Sequence, residues 1–226
     1  MQVIKSICLA KSRPTSSLWN LVRRSCSRWA QGQYVKEGSP IREYFYHISE
    51  EGYLFLSDTK HKNFTSAFKD KQFLKFFFDR LQPNNTGRYA SEFPYLSRCG
   101  YERNYVQVDD CPIVYTHVFD ARISYNYGGD LMAVPFEPEQ ICMCPRTGRV
   151  YYPTVERYGQ LALVRSKLAI ELSKNFIFDK KPAEQREQGC RFEEPIAIAW
   201  NDGKRYELSY RLRPLLMSRQ IKEAAD

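Results

Sequence analysis

Apolar and polar residues alternate with period two along most of this chain, and two segments switch to a helical period. Glu43–Ser49 and Gly52–Leu56 alternate around Glu50-Glu51-Gly52, which predicts a β-hairpin. Phe73, Phe76, Phe77 and Leu81 recur at helical spacing after Asp70, a natural N-cap. The spacing predicts a helix over Asp70–Leu81, closed by Pro83-Asn84-Asn85-Thr86-Gly87. Tyr101–Val108, Ile113–Phe119 and Leu131–Phe136 read as strands. A second hairpin turns at Arg146-Thr147-Gly148 and returns through Arg149–Tyr152. Leu161, Val164, Leu168 and Leu172 form one stripe, predicting a second helix over Leu161–Phe176. Ile196–Trp200 and Arg205–Leu212 form a last hairpin around Asn201-Asp202-Gly203, and the tail is predicted helical from Pro214.

Two passages of this pattern run parallel. In each, a Gly-led strand (from Gly52, from Gly148) leads to a helix, and an acid with a following Pro then opens an alternating strand (Asp110 to Tyr115, Glu194 to Ala199). The expected fold is therefore α+β: two similar strand–helix–strand units with mainly antiparallel sheets packed together. The units are placed at 37–140 and 141–226.

Charge changes the picture at the N-terminus. The chain has 34 basic and 26 acidic residues, net +8, yet its first acid is Glu37. Seven basic residues precede it (Lys5, Lys11, Arg13, Arg23, Arg24, Arg28, Lys36), among serines and small apolar patches. Leu18, Leu21 and Val22 can share a helix face opposite Arg23, Arg24 and Arg28. That composition is expected of a mitochondrial transit peptide over 1–36, cleaved within about 28–36, and it points to the matrix. A secretory signal needs roughly 7–15 continuous apolar residues, which are missing here. Without residues 1–36 the balance is 27 to 26, or +1, so nucleic acid is not an expected partner. No stretch approaches the ~20 apolar residues of a membrane span. Cys8 and Cys26 leave with the leader, and Cys99, Cys111, Cys142, Cys144 and Cys190 remain, an odd, irregular set that argues against a disulfide framework.

The densest polar segment, Gly87 to His117, supplies the candidate site: Arg88, Glu102, Arg103, Asn104, Asp110 and His117. Two arginines near a cleft can grip a carboxylate or phosphate bidentately. The competing reading is a surface loop in which Arg88 and Arg103 pair with Glu102 and Asp110. His117, mid-strand, is a candidate acid/base, against a histidine satisfied by a neighbour. Glu156, Arg157 and Arg165 form a second candidate cluster facing the first across a cleft. Cys142-Met143-Cys144 is half a zinc site without two further ligands, so no metal is expected. Phosphate loop, dinucleotide fingerprint, nucleophile elbow and two-His zinc motif are all missing, and the cofactor stays unknown. Three functions remain in play: a non-catalytic protein binding an anionic small molecule or a mitochondrial protein partner, an enzyme using His117 on an anionic substrate, and an assembly factor.

The strings Arg42-Glu43-Tyr44-Phe45-Tyr46, Gly87-Arg88-Tyr89, Cys99-Gly100 with Glu102-Arg103-Asn104, Thr116-His117, Ala133-Val134-Pro135-Phe136-Glu137-Pro138 and Leu163-Val164-Arg165-Ser166 resemble the uncharacterised protein family 0598. The resemblance covers most of residues 40–178. It implies a mitochondrial protein without an established activity. The order of features is also similar, more distantly, to the bacterial family of unknown function 1285, which implies two like α+β units and a ligand-binding or signalling role.

Overall fold

Among the described residues, three antiparallel-rich sheets and three short helices share one apolar core. The computed structural model describes residues 29–179, 190–200 and 202–223. The leader residues singled out above, from Lys5 to Arg28, lie outside the described residues, as does Asn201 of the last turn. Gln31–Asp226 forms one compact unit.

Sheet 1 contains β1 (Gln33–Tyr34), β2 (Arg42–Ile48), β3 (Leu54–Leu56), β4 (Leu81–Pro83), β5 (Tyr95–Cys99) and β6 (Glu102–Val108). Its spatial order is β1-β2-β6-β5-β4, with β3 paired to β2. β2 and β6 run parallel and every other ladder is antiparallel. Sheet 2 contains β7 (Val114–Phe119), β8 (Arg122–Tyr125), β9 (Ala133–Pro135), β10 (Cys142–Met143), β11 (Val150–Pro153) and β12 (Leu161–Val164). Its order is β10-β11-β12-β7-β8-β9, again with a single parallel pair, β7 with β12. This sheet takes strands from both sides of position 140, where the sequence reading divides two units. Sheet 3 joins β13 (Phe176–Phe178), β14 (Pro195–Ala199) and β15 (Arg205–Glu207). The fold is α+β, with several packed, mainly antiparallel sheets.

Helix α1 (Lys71–Asp79) forms as its spacing predicts. Asp70 caps it by accepting the Phe73 amide at 2.7 Å, and Leu74, Phe77 and Phe78 are its buried face. The carbonyl end is closed from outside: Tyr158 donates to the Phe78 carbonyl and Arg157 to that of Asp79. Helix α3 (Arg213–Glu223) bears out the predicted helical tail.

The predicted helix over Leu161–Phe176 needs correction. Only Ser166–Ser173 (α2) is helical. Leu161–Val164 is strand β12, and Phe176 opens β13. All four residues of β12 are buried, since the strand lies between β11 and β7 in the middle of the sheet. Such a strand reads as a continuous apolar run, and its Leu and Val positions happen to extend the stripe of Leu168 and Leu172. The predicted strand over Leu131–Phe136 shortens to β9, because Gly129–Met132 forms a 3₁₀ turn. Strand pairing in Arg205–Leu212 ends at Glu207.

The β2–β3 turn joins sheet 1 to sheet 2. Gly52 has a φ of +87°, and a Cβ there would sit 3.1 Å from Cβ of Val114 on β7. Buried Asn126 completes the joint: its Oδ1 accepts the Val114 amide and its Nδ2 donates to the Gly52 carbonyl. The inner face of sheet 1 (Tyr46, Ile48, Val106) thus shares a core with α1 and the strands of sheet 2.

Candidate functional site

The outer face of sheet 1 carries a buried carboxylate that the sequence reading did not select. β2 alternates, so Tyr44, Tyr46 and Ile48 turn inward while Glu43, Phe45 and His47 turn outward. Glu43 is nonetheless fully buried, beneath the 84–94 loop. Arg88 reaches it with two parallel bonds, Nε to Oε1 at 3.0 Å and an Nη to Oε2 at 3.1 Å. Gln33 donates at 2.9 Å, Tyr89 at 3.2 Å and Tyr105 at 3.3 Å. Burial alone would favour the neutral acid. The hydrogen bonds from Arg88 and Gln33, with the Arg88 charge, outweigh it and hold the Glu43 carboxyl below its usual range. Phe45 packs 5.6 Å from Tyr105 and 5.3 Å from Tyr89, ring centre to ring centre, giving the ionic cluster an aromatic floor.

Register extends the cluster into a row. Gln33 lies opposite Glu43, Glu43 beside Arg103, and Arg103 opposite Arg98. Side chains in register project from one face. Arg88, Arg98 and Arg103 therefore stand on the outer face around one carboxylate. Arg88 is engaged with it, while Arg98 and Arg103 form no ion pair among the described residues.

The other predicted residues go elsewhere. Glu102, adjacent to Arg103, belongs to the opposite face and is exposed. Asn104 points inward with its Oδ1 buried and without a hydrogen-bond partner. Asp110 is an internal hub: Arg149 and Arg219 pair with it at 2.6 and 2.8 Å, and Tyr151 donates to it at 2.9 Å. Burial disfavours its charge, but Arg219, Cys111 and Arg149 hold its carboxyl low. The expected pairing of Arg88 and Arg103 with Glu102 and Asp110 does not form. Asp110 instead ties the 109–112 loop to β11 and α3.

His117 is exposed on β7, edge-on to Tyr127 at 5.9 Å. Partial burial, then the charges of Arg165 and Lys167, lower its pKa despite Glu171. Neither Glu102 nor Asp110 is among the groups acting on it, so the structure does not assemble the acid/base arrangement that the enzyme reading requires. Arg165 contributes to the same corner, donating to Tyr127 at 2.8 Å above a Tyr53–Tyr127 stack 4.2 Å apart. Glu156 and Arg157 precede β12 and Arg165 follows it, so the second predicted cluster is split along that strand. A histidine–carboxylate contact that the sequence reading missed, His47 Nε2 to Asp109 Oδ1 at 2.7 Å, lies further along the outer face of sheet 1. Its only sequence signal is the shared outward parity of Glu43 and His47.

Cys142 and Cys144 are buried thiols outside any disulfide, and burial pushes the Cys142 thiol up to about 12. Among the described residues, no group of three or more His, Cys, Asp or Glu side chains is placed to hold a metal ion. No helix among them is long and apolar enough to cross a membrane.

Two solved structures of DUF1285 family proteins are similar to this chain. One, from Shewanella baltica OS155, is 16% identical over 58% of this chain and 91% of its own, with a TM-score of 0.35. The other, from Silicibacter pomeroyi DSS-3, is 13% identical over 83% and 93%, with a TM-score of 0.38. The family model described as domain of unknown function DUF4505 matches residues 31–213, nearly all of the elements set out above, and the chain belongs to that family.

Proposed function

We propose that this protein binds an anionic group, without catalysis, on the outer face of sheet 1. The observation that carries the reading is the Arg98–Arg103 pair, opposed across an antiparallel ladder beside an arginine already fixed on Glu43. Like charges directly opposite destabilise a sheet. A phosphate or carboxylate spanning the two guanidinium groups removes that repulsion and meets the planar donors they present. Exposed Tyr34 and Tyr101 flank Arg42 at the end of the same sheet. Tyr and Arg are typical interface anchors, which favours a protein as the carrier of the anion.

The acid-free, basic N-terminus and the resemblance to family 0598 support a mitochondrial matrix destination. Gln31 exchanges two hydrogen bonds with the Phe45 backbone, and Gln33 serves Glu43. These contacts favour a leader that ends before Gln31 over one that ends at 36.

The test is thermal unfolding in inorganic phosphate or citrate against KCl of matched ionic strength, comparing wild type with Arg98→Gln/Arg103→Gln. The anions should raise the wild-type midpoint above the KCl control. The double variant should lose that response while keeping its own stability, because it removes a repulsion. Equal anion responses in both proteins, or none beyond KCl in either, would refute the reading.

A further inference from the structure

A groove of about 540 Å³ opens between the β7–β8 turn and the β14–β15 hairpin, within the roughly 300–1,000 Å³ of small-molecule sites. Its walls are aromatic: Phe119, Phe136, Trp200 and Tyr206. Its charged groups are two carboxylates, Asp120 and Asp202, with no Lys or Arg among the lining residues. Phe136 and Trp200 meet at 4.8 Å with their planes inclined by 50°, forming a corner rather than a stack.

Among the described residues, six aromatic rings elsewhere, some exposed and one buried, carry one of the protein's own cations. Arg42 lies over Tyr34, Lys69 over Phe64, Arg80 over Phe76, Arg88 over Tyr89, Arg157 over Tyr158 and Arg165 over Tyr127. The four rings of the groove carry no such partner among the described residues. Ring faces are electron-rich and attract cations, most strongly where carboxylates add their charge.

We propose that this groove is a binding site for a small organic cation, an alkylated ammonium whose methyl groups pack on Trp200 and Phe136 while Asp120 and Asp202 supply the counter-charge. An alkylated ammonium suits the site better than a bare ammonium or a metal ion. Its charge is spread over apolar groups, so aromatic walls solvate it at little desolvation cost. Asp202 is pre-positioned: its carboxylate accepts from the Tyr206 hydroxyl at 2.8 Å and from the Lys204 amide at 3.0 Å. The Lys204 ammonium pairs with Asp202 at 3.7 Å, while Asp120 forms no ion pair among the described residues. The site is chemically the opposite of the arginine row on sheet 1 and does not depend on it.

Isothermal titration calorimetry of the full chain with choline tests the proposal, with 3,3-dimethylbutan-1-ol as the uncharged isostere. Choline should bind about tenfold or more tightly than the alcohol, and Asp120→Asn should weaken choline about tenfold while leaving the alcohol unchanged. Asn tolerates the left-handed backbone that Asp120 adopts (φ +47°), so this variant keeps the turn. Trp200→Leu, checked for folding by circular dichroism, should weaken both ligands. Equal binding of choline and the alcohol would reduce the groove to an apolar cleft. Absence of choline binding at millimolar concentration, or binding indifferent to Asp120→Asn, would overturn the assignment.

Discussion

Arg88→Met isolates the Glu43 carboxylate without cutting away the stem that covers it. Two charge-assisted bonds vanish, and three weaker donors (Gln33, Tyr89, Tyr105) remain on a fully buried anion. Removing one partner of a buried pair costs roughly 3–5 kcal/mol. Arg88 itself is 40% exposed, so solvent screens part of its attraction and the low end applies, about 3 kcal/mol. At roughly 2–4 °C per kcal/mol for a chain of this size, the midpoint should fall by about 6–12 °C. Urea unfolding across pH makes the reasoning specific. In wild type the folded pKa of Glu43 lies below its unfolded value, so the stabilisation is complete above that unfolded value and fades as pH falls through the folded one. In the variant, burial without Arg88 raises the folded pKa, and the penalty present at neutral pH disappears once the carboxyl takes a proton. The gap between the proteins should therefore be widest near pH 7 and close below about pH 4. Glu43→Gln/Arg88→Met should recover most of the loss. A neutral-pH cost under about 1 kcal/mol, or a gap that stays constant with pH, would refute the claim that Glu43 is held ionised by Arg88.

Gly52→Ala should destabilise by about 3 kcal/mol, combining a left-handed backbone with a methyl group pressed on Val114. Chemical denaturation reads this directly, and wild-type stability in the variant would mean that the sheet 1–sheet 2 joint is loose. His117 has a lowered folded pKa, so the unfolded chain takes up its proton first as pH falls through about 6.5. Stability should decline from pH 7.5 to 5.5, and His117→Gln should flatten that decline. An unchanged slope in the variant would remove the electrostatic reading of the Arg165–Lys167 corner.

The sequence announces elements whose partners are near and conceals those whose partners are far. Asp70, Phe73 and Phe77 declare α1 because cap and apolar face lie within one segment. The β2–β3 hairpin is legible for the same reason. Leu161–Val164 is misread because a strand buried on both faces has no period of its own, and what makes it a strand is β7, far back in the chain. The candidate site divides along the same line. Arg88 is conspicuous as a charge, but the residue that gives it meaning, Glu43, lies 45 positions away and looks like any acid on an alternating strand. Asp110 also stands out, yet Arg149 and Arg219 claim it from 39 and 109 positions away. No local pattern reveals that they do. Arg103 was visible from composition, whereas its alignment with Arg98 and Glu43 is a property of register alone.

The two parallel ladders bear on how the chain acquires its shape. Arg42 pairs with Glu102 and Val114 with Leu163, so neither ladder closes by a local turn and each must first overcome the entropy of a long loop. Topologies dominated by such distant pairs fold in milliseconds to seconds rather than microseconds. During synthesis β2 emerges early and waits for β6, and β7 waits for β12. For that interval Phe45 and Val114 present unpaired, apolar strand edges, the kind of surface that chaperones hold and that aggregates otherwise. Arg219 arrives later still to reach Asp110. Loss of the final helix would therefore leave every strand present but Asp110 without Arg219, held only by Arg149 and Tyr151 beside the His47–Asp109 contact, in a product that forms its sheets with a weaker joint at the 109–112 loop.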